Sequence, residues 1–129
     1  MKVTEHQLPS NYRVSLKALI RNAQDQILFV KEQSDEWGIP GGGIDHGETI
    51  AEGLRREVSE ELGVGIKRVS ANPVMAETMY VDGINRWCLW LVYEVELNAE
   101  PRIGEHSSAI GWFGPEILLV SLFHPGDKQ

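Results

Sequence analysis

A chain of 129 residues has room for one domain of ordinary size and none for a separate regulatory unit, and 42% hydrophobic with 24% charged residues supplies a real core. Twelve Lys and Arg against nineteen Asp and Glu leave a net charge of −7, a surface that repels a long phosphate backbone and disfavours non-specific nucleic-acid binding. The lone cysteine, Cys88, excludes an internal disulfide and reads as a buried thiol in a reducing compartment.

Val14 to Ile20 and Gln26 to Lys31 are apolar runs joined by the polar segment from Arg21 to Asp25, a pattern that predicts a hairpin. The stretch from Trp37 to Gly47 carries glycine at 38, 41, 42, 43 and 47 and predicts a sharply bent loop that draws on positive φ. A helix is predicted over 50–62: Thr49 and Glu52 form a capping box, Ile50, Leu54, Val58 and Leu62 keep an apolar stripe, and Gly63 supplies the stop. Val69 to Val81 predicts one broken strand. Trp87 to Leu97 predicts a longer one, apolar as far as Tyr93 and therefore expected to be covered on both faces there. Ala109 to Phe113 reads as a short strand, and Pro115 as the opening of a helix through about Leu122. No repeat or linker divides this order, which predicts a single α/β domain with a mixed sheet over residues 1–129. No segment reaches the ~18 apolar residues of a membrane span, and the first residues lack the apolar run of a signal peptide. The expectation is a soluble, cytoplasmic protein with no membrane partner.

At ~100° per residue from Ile50, the side chains of Glu57, Glu60 and Glu61 fall near −20°, −80° and +20°, and share an arc overlapping the apolar stripe. Glu61 lies between Ile50 and Leu54 on this wheel and points to the packed side. Gly53, inside the arc at a helix-propensity cost of ~1 kcal/mol, is expected to clear space among the carboxylates. Three carboxylates at such spacing repel one another unless a cation sits among them. Oxygen ligands without Cys or His pairs suit Mg²⁺ or Mn²⁺ better than Zn²⁺, and the spaced Asp/Asn loop of a Ca²⁺ site is absent. The glycine loop lacks both the Gly-Lys-Ser/Thr ending of a P-loop and the glycine spacing of a dinucleotide fold, which removes the ATPase and NAD readings.

Loop and helix together carry more. Gly42, five residues to Glu48, seven more to Arg56, then Glu57, Val58, Glu60, Glu61, Gly63 and Val64 match all nine fixed positions of the 23-residue Nudix signature. The chain therefore resembles the Nudix hydrolases. That resemblance implies an α/β/α sandwich with the mixed sheet between helices, and Mg²⁺-dependent hydrolysis of a nucleoside diphosphate linked to another moiety, with Mn²⁺ able to substitute. It also implies that Glu57, Glu60 and Glu61 hold the metal, joined by the carbonyl of Gly41 or Gly42, while Arg56 orients a carboxylate such as Glu48. For the general base the family offers two places, the signature helix, here Glu57, or a loop before the penultimate strand, a place that Glu105 occupies; His106 beside it reads as a surface residue. Lys31 matches a place where relatives put a basic phosphate contact, and Arg13, Tyr80, Arg86 and Trp87 are candidates for a base or sugar pocket.

The competing class is a non-catalytic nucleotide or ADP-ribose binding module on the same fold. Such modules lose signature carboxylates or gain a second domain, and this chain keeps every carboxylate. Messenger-RNA decapping shares the chemistry, but the net charge and the want of a basic tract argue against long nucleic acid. The expected partner is a small nucleotide-type substrate; a homodimer is compatible with this reading.

Overall fold

Helix α1 (Ile50–Leu62) starts and stops where its capping residues require. The Thr49 hydroxyl accepts the N–H of Glu52, the Glu52 carboxylate accepts the N–H of Thr49, and Gly63 closes the helix in the left-handed region at φ 64°. The computed structural model describes residues 10–32 and 35–117. Among these, eight strands accompany the helix: β1 (Arg13–Leu19), β2 (Ile27–Lys31), β3 (Trp37–Gly38), β4 (Gly41–Gly43), β5 (Ile66–Val69), β6 (Met75–Val81), β7 (Arg86–Leu97) and β8 (Ala109–Phe113).

They form two sheets. β7 is the axis of the larger, lying parallel to β1 on one edge and antiparallel to β6 and β5 on the other, while β4 pairs antiparallel with β1 as the far edge strand. The smaller sheet has the order β3-β2-β8, all antiparallel. Leu54, Val58 and Leu62 of α1, fully buried, pack with Leu16 and Ala18 of β1, Leu28 and Val30 of β2, and Tyr93 and Val95 of β7. Truncating a leucine from such a core costs about 2–5 kcal/mol. A second cluster joins Leu19, Ile27, Phe29, Ile39 and Val92, with Trp37, Trp90 and Phe113 packed against it. Alternate residues of β1 and β2 divide between the two clusters, so both faces of these strands are covered.

Several expectations change. β1 and β2 do turn back on each other: the Leu28 N–H donates to the Ile20 carbonyl at 3.0 Å, and the Asn22 side chain accepts the N–H groups of Gln24 and Gln26. They are no hairpin, however, because each then joins a different sheet, driven by burial on both faces rather than by pairing with its sequence neighbour. The broken strand over 69–81 is two strands, β5 and β6, laid end to end along β7. β7 is not covered at its start, where Trp87 is 51% exposed beside Tyr12 and Tyr80. Positive φ occurs at Gly41 and Gly47 of the loop, but Gly42 and Gly43 are extended strand. Gly53 serves packing: a Cβ there would lie 2.8 Å from Leu16 Cδ1, so glycine lets the helix approach β1 and does not open a cavity among the carboxylates. A helical turn begins at Glu116 and Ile117 after Pro115. The remainder of that expected helix, and with it the second helical layer, lies outside the described residues. None of the described helices is long and apolar enough to cross a membrane.

Candidate functional site

The amphipathic phase of α1 turns Glu57 and Glu61 toward the glycine strand β4 and leaves Glu60 at the rim. Gly41, Gly42, Glu57, Glu60, Glu61, Glu32 and His106 line an open cleft of about 500 Å³. Backbone and side chain meet closely here. The Gly41 N–H donates to Glu61 Oε1 at 2.8 Å, and a Cβ on Gly42 would stand 2.6 Å from Glu57 Oε1. Gly41 itself adopts φ 138° with the Leu16 carbonyl where a side chain would start, so only glycine fits.

Arg56 organises the rim. Its guanidinium donates twice to Glu48, at 2.7 and 2.9 Å, once to Glu57 at 2.9 Å and once to the Gly43 carbonyl at 3.0 Å. Glu60 lies 3.7 Å from the same guanidinium, beyond hydrogen-bond reach. The bidentate contact, helped by the Asp45 N–H, holds the Glu48 carboxyl down at about 2, and the carboxylates raise the Arg56 guanidinium further. Deeper in, the balance reverses. Burial pushes Glu57 up against the opposing pull of Arg56 and Lys17. Burial pushes Glu61 well above the usual carboxylate range, assisted by its hydrogen bond to Glu32 and opposed by the Gly41 N–H and Lys17. On this desolvated floor the carboxyl groups hold their protons tightly, and a divalent cation can take the protons' place.

As the side chains stand, no three described His, Cys, Asp or Glu residues converge to hold one ion. Their oxygens are shared out among protein donors: Glu57 to Arg56, Glu61 to Gly41, Glu60 to His106 Nδ1 at 3.0 Å. The donor set nonetheless fits a hard divalent cation, since the lining is dominated by carboxylates beside glycine backbone, and each carboxylate keeps lone pairs beyond its one donor.

The other candidate residues separate. Arg13 lies across Gly43, donating to the Ile44 carbonyl at 3.2 Å, and Lys31 sits over the Trp37 ring at 5.2 Å, one residue before Glu32 of the cleft. Tyr80 and Arg86 lie instead at the paired ends of β6 and β7, where Tyr80 packs edge-on against Trp87 and bonds Asn85. Glu105 lines a neighbouring hollow with Ser59, Glu60, Gly63 and Arg102, and is not among the residues of the carboxylate cleft. Its neighbour His106 is exposed, as expected, with its imidazole at the edge of the cleft. Glu32 and Lys17 were not singled out from sequence, and His106 was read only as a surface residue. Lys17 had a signal, the alternation of Arg13, Ser15 and Lys17 along one strand face. His106 had none, because only the chain's return past the end of α1 brings it there.

Comparison with known proteins gives this arrangement its relatives. The chain is 34% identical over 110 aligned residues to the nucleoside triphosphatase NudI of Escherichia coli, covering 78% of this chain and 74% of that one. The crystal structure of the MutT NUDIX hydrolase from Burkholderia pseudomallei matches with a TM-score of 0.69 and 27% identity, over 81% of this chain and 84% of that one. The MutT protein from Methanosarcina mazei Go1 matches at a TM-score of 0.72 and 23% identity, over 87% and 83% of the two chains, a likeness of fold. The family model for the NUDIX domain matches residues 11–129, and with the glycine strand, the capped acidic helix and the Arg56–Glu48 pair all in their signature places, the chain belongs to the NUDIX family of hydrolases acting on phosphoric anhydrides.

Proposed function

We propose that this chain, acting as a single catalytic domain, is a Mg²⁺-dependent hydrolase of nucleoside triphosphates or of related nucleoside diphosphate derivatives, with Mn²⁺ able to replace Mg²⁺. The observation that supports it is the carboxylate cleft: Glu57, Glu60 and Glu61 on one helix face, over a glycine strand that leaves backbone open to a ligand. The triphosphatase activity named for the Escherichia coli relative supports the substrate class. Glu57, Glu60, Glu61 and the Gly42 carbonyl are the groups that would hold divalent cations. When bound, such cations offset the anhydride's charge and acidify water near phosphorus.

The chain's own residues do the rest. Arg56 keeps Glu57 oriented and Glu48 ionised, which fixes the loop after β4 to the helix. Glu57, desolvated and with its proton affinity raised, accepts the proton of the attacking water as that oxygen bonds to phosphorus and the bridging P–O bond breaks. We assign the base to Glu57 and not to Glu105 because Glu105 faces the neighbouring hollow. Arg13, beside Gly43, and Lys31, over the Trp37 ring, are cationic groups that would receive phosphate oxygens. Nucleoside triphosphates, dinucleotides, nucleotide sugars and ADP-ribose, assayed with Mg²⁺ and with Mn²⁺ for released phosphate or pyrophosphate, test this reading. Turnover of a triphosphate that stops on chelation is expected. Turnover that persists in excess chelator, or binding without turnover across the panel, overturns it.

A further inference from the structure

The last four carbonyls of a helix have no partner inside it. In α1 the Ser59 carbonyl accepts the Gly63 N–H at 3.1 Å, and the other three are met by a segment some forty residues away in sequence. The Arg102 N–H donates to the Leu62 carbonyl at 2.9 Å, the Gly104 N–H to Glu61 at 3.1 Å and the His106 N–H to Glu60 at 3.0 Å; the Ser107 hydroxyl adds a bond to Glu61 at 2.6 Å. The approach is so close that a Cβ on Gly104 would stand 2.4 Å from the Glu60 carbonyl oxygen. This loop, between β7 and β8, is thus clamped to the end of the helix that carries the cleft carboxylates.

One consequence is chemical. His106 is tied to Glu60 twice, by its N–H to the Glu60 carbonyl and by Nδ1 to Glu60 Oε2 at 3.0 Å. A carboxylate accepts and does not donate, so the second bond puts the imidazole hydrogen on Nδ1. Glu57 and Glu61 each have a donor supplied from the helix or the glycine strand, Arg56 and the Gly41 N–H. Glu60 is too far from Arg56 for that service. We propose that His106 is the positioning residue for Glu60, its Nδ1–H holding one carboxylate oxygen so that the other is presented to a divalent cation in the cleft. This rests on the reading of Glu60 as a cation ligand. His106 acts through Glu60, in the way that outer donors orient ligating groups elsewhere.

The test uses Mn²⁺ alone as the probe, with binding to the full chain measured by loss of the free-Mn²⁺ electron paramagnetic resonance signal, for the wild type and for His106→Ala, His106→Asn and Glu60→Gln. His106→Ala should raise the Mn²⁺ dissociation constant about tenfold. His106→Asn, whose amide N–H can reach the same oxygen, should bind close to wild type. Both variants keep the backbone clamp, so their metal-free melting temperatures should match the wild type. Wild-type affinity in His106→Ala together with weakened binding in Glu60→Gln overturns the positioning role while leaving the ligand reading intact. Wild-type affinity in Glu60→Gln overturns the ligand reading and this inference with it. Equal loss in the Asn and Ala variants overturns the hydrogen-bond role.

Discussion

The rim and the floor of the cleft treat the same chemical group in opposite ways. At the rim, Glu48 shares a bidentate contact with Arg56 and stays ionised far below the ordinary carboxylate range. On the floor, Glu61 is 1% exposed and faces Glu32, and its proton is held well above that range. The fourteen residues from Glu48 to Glu61 thus contain a carboxylate whose charge the protein has already neutralised and another whose tightly held proton a cation would replace. The rim gives the loop and helix their fixed geometry, whereas the floor stores an affinity for positive charge that the apo-protein meets only partly, through Lys17 and the Gly41 N–H.

Removing the rim's cation should have the largest effect. Arg56→Met leaves Glu48, Glu57 and Glu60 without their shared guanidinium, and kcat/KM should fall by ~10²-fold as Glu57 loses its orientation. The metal-free melting temperature should drop by about 5 °C, with part of the loss restored by Mg²⁺. A melting temperature equal to the wild type would break the comparison, because the rim would then not be structural.

Gly42→Ala disturbs the junction of rim and floor by directing a Cβ at the Glu57 carboxylate. A fall in kcat of about tenfold is expected with KM little changed, since the displaced group serves the reaction more than binding; an unchanged kcat shows that Glu57 can turn aside freely.

The floor is read by pH. Because Glu61's folded-state pKa is raised, the folded protein keeps a proton that the unfolded chain releases, so this group's stabilising contribution is complete below the ordinary carboxylate pKa and is lost as pH rises toward the raised value. Glu48 has the reverse sign, its contribution present above the ordinary pKa and lost as pH falls through about 2. In chelator, melting temperature should therefore decline from about pH 5 to pH 8 in the wild type, and the decline should flatten in Glu61→Gln, which has no proton to give up. Parallel slopes in the two proteins refute the raised pKa. The smallest effect belongs to a carboxylate outside both regions: Glu105→Gln should keep kcat within about twofold of wild type, and a large loss would return the base to that loop.

The amino-acid sequence by itself determined the parts whose physics is local. The capping box at Thr49 and Glu52, the Gly63 stop and the apolar stripe depend on neighbours within a turn or two, and α1 has the predicted bounds. The inward phase of Glu61 follows from the same 3.6-residue period, as does the placing of Glu57 and Glu60 beside it. Tertiary structure decided whatever depends on which surfaces meet. Two apolar runs in succession look like a hairpin, but strands buried on both faces choose partners by the packing of whole sheets, and β1 and β2 part company for that reason. Gly53 looked like an opening until Leu16 filled it. Glu32 and His106 entered the cleft by long-range contacts alone: one through its pairing with a buried glutamate, the other because the unmet carbonyls at the end of α1 drew a distant loop against them.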